Sequence, residues 1–201
     1  MELSEAIRRR HMVRSFSDQP VDPTLIAQIL ADSLRAPSAG NTRGTAWLLL
    51  EGSEQAATYW THTTTEEWRM RSRRWEGLSR APAIVLSLAS PAEYLTRYGE
   101  EDKAASGLAG GEAAWPVPYW FGDAAFSTMI LLLRATDVGL GACFLGSFRG
   151  EDTLLQALEV PDGWRLFGTV LLGHPDGGDH WSPSLSRAGP PTAARLHWGK
   201  W

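Results

Sequence analysis

A chain of 201 residues with 43% hydrophobic content is long enough for one substantial core and too apolar for a disordered segment. Its net charge of −4 and pI of about 5.7 give no global pull toward nucleic acid or anionic membranes, so any anion site has to be local. The single cysteine, Cys143, excludes an internal disulfide and a cysteine-rich zinc site, and the amino terminus lacks the apolar core of a signal peptide. Cytoplasm is the expected compartment.

Leu3, Ala6 and Ile7 at helical spacing predict a short helix over Leu3–Arg10. It runs into a stretch, Arg8 to Phe16, that holds four arginines and a histidine. Two explanations stand open: a solvated helix end whose cations complement the dipole, or a phosphate seat. Asp22 as cap and Pro23 at the first helical position predict a firm helix with Leu25, Ile26, Ile29, Leu30 and Leu34 on its apolar face, stopping near Ala36 before Pro37. The loop Pro37–Gly44 leads into a strand-length apolar run, Thr45–Leu50. The polar stretch from Ser53 to about Gly77, with Trp60, Trp68, Met70 and Trp75 among arginines, is expected to be helical. Ala83–Ala89 predicts a buried strand between two prolines.

Gly, Ala and charge dominate Glu100–Gly111, which reads as a mobile loop and a candidate lid. Pro118 starts a long helix over Tyr119–Asp137, closed by Gly139 to Gly141; Asp123, Arg134 and Asp137 make this run a buried helix rather than a membrane span. A short apolar segment at Ala142–Phe148, a small helix at Asp152–Leu158 and a strand at Leu166–Leu172 follow. Ten tryptophans call for a large core or an oligomer interface, and the aromatic tail ending His197-Trp198-Gly-Lys-Trp201 needs a surface to pack on. With no repeat and no long linker, the chain reads as a single mixed α/β domain over residues 1–201.

Gly139-Leu-Gly141 with Gly146 has the wrong spacing for a dinucleotide fingerprint and follows a helix, so a Rossmann site is rejected; neither a nucleophile elbow nor a P-loop occurs. His174, Asp176, Asp179 and His180 are better read as a Gly-rich turn than as metal ligands, and His62 and His197 lack partners at ligand spacing. No metal site is expected.

Four stretches in order, Arg10-His-Met-Val-Arg-Ser-Phe16, Ala36-Pro-Ser-Ala-Gly-Asn41, Gly139 to Phe148 and Leu172-Gly-His-Pro175, resemble the FMN-dependent nitroreductase family. Val117-Pro-Tyr-Trp120 together with Gly139–Gly146 resembles a branch common in actinobacteria. The resemblance implies an α+β fold with a central, mostly antiparallel sheet flanked by helices, and a homodimer with FMN at the subunit interface and the carboxy-terminal tail wrapped round the partner. It implies that Arg10 and Arg14 hold the FMN phosphate and ribityl chain, with His11 and the Met12 backbone alongside and Arg187, or else Arg195, completing the phosphate site. Arg8 and Arg9 are expected to be solvated.

Pro37, Ser38, Ala39, Gly40 and Asn41 would line the ring edge, and a backbone N–H near Leu145 and Gly146 would face flavin N5. Met12 departs from a usual serine, and Arg43 stands where a glutamine-containing form is common; Arg43 could favour reduced, anionic flavin or select an anionic substrate. Trp115, Tyr119 and Trp120 either line the substrate space or pack the core. The implied reaction is ping-pong hydride transfer from NAD(P)H through the flavin to a small organic acceptor, with the flavin carrying the chemistry and no catalytic side chain required. Nitroaromatics, quinones or similar compounds are the expected acceptors, and neither nucleic acid nor membrane is an expected partner. The competing readings are a flavin dehydrogenase or oxidase that does not use NAD(P)H, a flavin-binding protein without turnover, and a colourless relative that has lost FMN.

Overall fold

In a computed structural model of the chain, residues 1–179, 187 and 189–201 are described. The sheet is built around a strand buried on both faces. In β2 (Ala83–Ala89), Ile84, Leu86 and Leu88 point to one side and Ala83 and Val85 to the other, and both sets are buried. This explains why the sequence shows an unbroken apolar run instead of an alternation. β2 pairs antiparallel with β1 (Thr45–Glu51) and with β4 (Arg165–Gly173), and β4 pairs antiparallel with β3 (Gly141–Leu145), giving the order β1-β2-β4-β3. The expected central antiparallel sheet with flanking helices is the fold observed.

One face is covered by α2 (Pro23–Ser33) and α7 (Tyr119–Asp137), which bury Ile26, Ile29, Leu131 and Leu132 against Val85, Val170 and Leu172. Asp22 caps α2 through a 2.8 Å bond accepted from the Thr24 N–H, with Pro23 beginning the helix as expected. α2 ends at Ser33, earlier than predicted, and Leu34 is exposed. The other face is covered by α3 (Gly52–Thr63) and α8 (Glu151–Ala157), whose Tyr59, Trp60, Leu154 and Leu155 meet Ile84, Leu86, Cys143 and Leu171. The polar stretch before β2 is broken into α3, α4 (Glu66–Arg71) and α5 (Trp75–Ser79), while α1 (Leu3–Arg9) sits near the carboxy-terminal end of α7, where the terminal amine bonds Asp137.

The stretch after α6 (Pro91–Tyr98) corrects the expectation of a mobile loop. Three 3-10 turns, Ala104–Ser106, Leu108–Gly110 and Glu112–Ala114, form a small folded lobe. Trp115 ties it down by donating to the Leu108 carbonyl at 2.9 Å and by packing edge-on against Tyr94 and Tyr98. The low apolar content of the sequence here hid an order that comes from backbone turns and aromatic edges.

Within a single chain the aromatic tail does not bury itself. Its 3-10 turn, Thr192–Arg195, is exposed, the His197 and Trp201 rings stack on each other, and Trp201 is 99% exposed. On α7, Phe126 and Met129 also face outward.

Leu171 lies fully buried in β4. Leu171→Ala is expected to lower unfolding free energy by about 2–5 kcal/mol, because the closely packed sheet cannot collapse into the vacated volume. Urea denaturation followed by tryptophan fluorescence measures it.

Candidate active site

The arginine stretch runs along the outer edge of the sheet. Met12 forms an isolated parallel bridge with Ala142, and the Val13 N–H donates to the Ala142 carbonyl at 3.0 Å. Gly141 is needed for this approach, since a Cβ there would come within 2.9 Å of the Val13 side chain. The Met12 sulfur accepts the Phe144 N–H at 3.3 Å, so a residue that departs from the family's usual serine satisfies a strand-edge donor. Phe16 is fully buried, its N–H donating to the Gly77 carbonyl at 3.2 Å. Arg8, Arg9 and His11 are exposed, with Arg9 bonded to Glu5. Arg10 is different: its Nη1 is buried without a hydrogen-bond partner among the described residues, an expensive state for a cation.

Arg14 turns toward a polar cavity of about 200 Å³ that it lines together with Arg73, Arg74, Arg80, Asp176 and Asp179. The Arg14 N–H donates to Asp179 at 2.9 Å and its guanidinium to the Met12 carbonyl at 3.0 Å. Asp176 is held below the ordinary carboxylate range, first by the Gly178 N–H and then by the Ser15 hydroxyl and Arg80. The His174–Asp179 stretch is thus a hydrogen-bonded turn, and no group able to hold a metal occurs among the described residues; His180 lies outside them. Sequence reading missed Arg73, Arg74 and Arg80. The available signal was four arginines within Arg69–Arg74, a stretch read only as helical.

A second, mainly apolar cavity of about 430 Å³ is lined by Tyr59, Trp60, Trp68, Phe144, Leu145 and Gly146, among others. Arg69 fixes its outer wall by donating to the Trp60 carbonyl at 2.6 Å and to the Thr64 hydroxyl at 2.8 Å, with its guanidinium over the Trp75 ring. Phe148, 99% exposed, rests its ring against Gly146. The two cavities meet in sequence at Gly77, which lines the first, and Leu78, which lines the second. A Cβ on Gly77 would lie 2.5 Å from the Arg14 carbonyl oxygen.

The Pro37–Asn41 loop stands elsewhere, leading into β1 at the opposite edge. From Met12 across β3, β4 and β2 to β1 there are four strand spacings, about 19 Å. One chain therefore does not bring the two predicted halves together. The loop is strained, with Gly40, Asn41 and Arg43 at φ 62, 56 and 59°; a non-glycine residue there costs on the order of 1–3 kcal/mol. With Asp123 and Ser127 of α7, Pro37, Ser38 and Arg43 line a third cavity of about 270 Å³. Buried Asp123 accepts the Ala39 N–H at 2.8 Å and the Tyr94 hydroxyl at 2.7 Å. Burial and the neighbouring Asp123 push the Tyr94 phenol well above its ordinary range.

Trp115 and Trp120 are buried around Tyr94 and line none of these three cavities, while Tyr119 is exposed. Arg187 and Arg195 are both exposed.

The fold is an antiparallel sheet between helices, with arginines and an aromatic cavity along one edge, and comparison with known proteins gives its family. Residues 7–174 match the nitroreductase family, and the chain belongs to it. It is 25% identical over its whole length, and 99% of the relative's, to a protein of Archaeoglobus fulgidus named for NADH dehydrogenase/NAD(P)H nitroreductase activity. It is 28% identical to the 5,6-dimethylbenzimidazole synthase of Rhodobacter capsulatus, over 93% of this chain and 89% of that one. A crystal structure of a nitroreductase-type protein from Desulfovibrio desulfuricans in complex with FMN superposes with a TM-score of 0.70 at 21% identity, covering 100% of this chain and 98% of that one.

Cys143 lies under this site. Burial pushes its thiol up from 9.0 to about 11, with Arg14 opposing the shift. A pKa raised in the folded state favours the protonated, folded form, so its contribution to stability is intact below about 9 and is lost as pH rises through about 11. Native protein is expected to be inert to a thiol reagent at pH 8 and to react on unfolding, and its denaturation midpoint to fall between those pH values; a Cys143→Ala variant should lack that part of the fall.

Proposed function

We propose that the protein is an FMN-dependent oxidoreductase working as a cytoplasmic homodimer, a single domain over residues 1–201 that passes hydride from NAD(P)H to a small organic acceptor such as a nitroaromatic or quinone. The observation that carries this reading is the buried Nη1 of Arg10, unpartnered among the described residues, on an edge where an arginine-lined cavity adjoins an apolar, aromatic one. A phosphate ester joined to a flat ring system matches that pairing of environments.

In this reading Arg10 and Arg14 hold the phosphate and ribityl chain, His11 and the Met12 backbone flank them, and Arg187 closes the site from the tail. Arg73 and Arg74 join them as further cations around Arg14. The N–H groups near Leu145 and Gly146 orient the ring edge and stabilise negative charge placed there. FMN, when bound, supplies the hydride-carrying chemistry. The aromatic cavity excludes water, and donor and acceptor occupy it in turn, the ping-pong order expected of one shared space.

The Pro37–Asn41 loop contributes from a second copy, which resolves its distance from Arg10 in a single chain. Outward-facing Leu3 and Ile7 of α1, Phe126 and Met129 of α7 and the exposed tail tryptophans support that assembly, since so much apolar surface suits an interface. A second reading, a flavin enzyme whose physiological reaction does not draw on NAD(P)H, is favoured by the 28% identity to a relative named for benzimidazole synthesis.

Purified protein is expected to bind FMN, and NADH or NADPH to bleach its visible band without oxygen. Arg10→Ala and Arg14→Ala should each weaken FMN binding by about 10- to 100-fold, the value of one charge-assisted hydrogen bond. Binding without bleaching by either nicotinamide would favour the second reading, and no FMN binding would remove both.

A further inference from the structure

We propose that Arg97 and Asp123 are positioning residues that clamp the Ser38–Arg43 loop from opposite sides and so set how that loop meets the flavin. This rests on the flavin reading above. The loop's own bonds close its turn: the Asn41 N–H donates to the Ser38 carbonyl and the Arg43 N–H to the Ser38 hydroxyl, each at 2.9 Å. They do not fix the turn against the rest of the fold.

Two external bonds of opposite polarity do. The carboxylate of Asp123, from α7, accepts the Ala39 N–H at 2.8 Å, and the guanidinium of Arg97, from α6, donates through Nε to the Gly40 carbonyl at 2.9 Å. An anion thus holds the donor and a cation the acceptor of adjacent residues. The fork of Arg97 is occupied by Asp102, at 2.7 and 2.8 Å, and by Glu100 at 3.0 Å, so the turn between α6 and the 3-10 lobe anchors the cation. Tyr98 closes the arrangement from beneath, since a Cβ on Gly40 would fall 2.8 Å from its ring. Only glycine fits this point, and at φ 62° only glycine fits it without strain.

The cost of the arrangement argues for a role beyond folding. Asp123 is 4% exposed, and its two recorded donors are both neutral. Burying a carboxylate with no ion pair among the described residues, Arg43 only lining the same cavity, is among the least economical ways to tie a loop. What it achieves is the presentation of Ser38 and Asn41 in one orientation. The lobe read from sequence as a lid is in this account the fixed anvil of a clamp. Because the loop serves a site completed by the other copy, Arg97 and Asp123 act on a flavin held chiefly by the partner's arginines.

The test compares wild type with Arg97→Met, Arg97→Lys, Asp102→Asn and Asp123→Asn for FMN dissociation constant, flavin midpoint potential and melting temperature. Arg97→Met should weaken FMN about tenfold and shift the potential. Arg97→Lys should recover only part of the loss, because one ammonium cannot reproduce a planar fork shared between Gly40 and Asp102. Asp102→Asn, which keeps the Gly40 bond but loosens its anchor, should fall between. Arg134→Met removes the ion pairs to Asp32 and Asp137, which make no contact with the clamped loop, and serves as the stability control.

Unchanged affinity and potential in folded Arg97→Met overturn the inference. So does a loss of affinity that Arg134→Met reproduces at the same fall in melting temperature. If Asp123→Asn fails to fold, the Arg97 series decides alone. Failure of wild type itself to bind FMN sinks the flavin reading and this inference with it, whereas FMN-binding wild type with indifferent variants sinks this inference only.

Discussion

Burial of the two central strands on both faces governs where everything polar can go. β2 and β4 carry Ile84, Leu86, Val170, Leu171 and Leu172 at essentially no exposure, with helices above and below. A sheet covered in this way has no open face on which to place charge without paying desolvation. Charged chemistry is displaced to the sheet's edges and ends, and each of the three cavities lies where a strand edge or strand end meets a loop.

The two edges differ in electrostatic character. Along β3, guanidinium groups gather on a chain that is acidic overall, and the counter-charges lining their cavity are already engaged: Glu76 by Arg80, Asp176 by Arg80 and the Gly178 N–H, and Asp179 by the Arg14 N–H. Among the described residues Arg10 has no hydrogen-bond partner at its buried nitrogen. Along β1, the polar groups are backbone amides and carbonyls in left-handed conformations, held by one carboxylate and one guanidinium. In the function proposed above, the first edge receives an external anion, while the second is internally compensated and holds a shape.

Much of the fold was legible because the relevant signals were local. The apolar run Ala83–Ala89, the Asp22-Pro23 start of a helix and the Tyr119–Asp137 helix each follow from side-chain periodicity or capping chemistry within a few residues. The 3-10 lobe was not legible, because its order rests on Trp115 reaching back to Leu108 and on Arg97 gripping acids beyond its own helix. Arg73 and Arg74 were hidden for a related reason: only the folding of α5 against the Arg14 segment, through Gly77, turns a run of surface arginines into a cavity wall. The separation of the two predicted half-sites depends on strand order, and β1-β2-β4-β3 cannot be read from four apolar segments in a line.

That strand order carries a consequence for assembly. A ligand large enough to touch both Arg10 and Asn41 of the same chain would have to cross the width of the sheet, over the helices that cover it. If one ligand engages both stretches, as the family resemblance implies, they come from different copies, and cofactor binding and subunit association are then thermodynamically linked: each stabilises the other by the same free energy. The exposed Phe126, Met129 and tail tryptophans, unexplained by the core of a single chain, gain a role in that linkage. The charge on one edge and the strained loop on the other are then two requirements of one site, kept apart in the chain by a core that has no room for either.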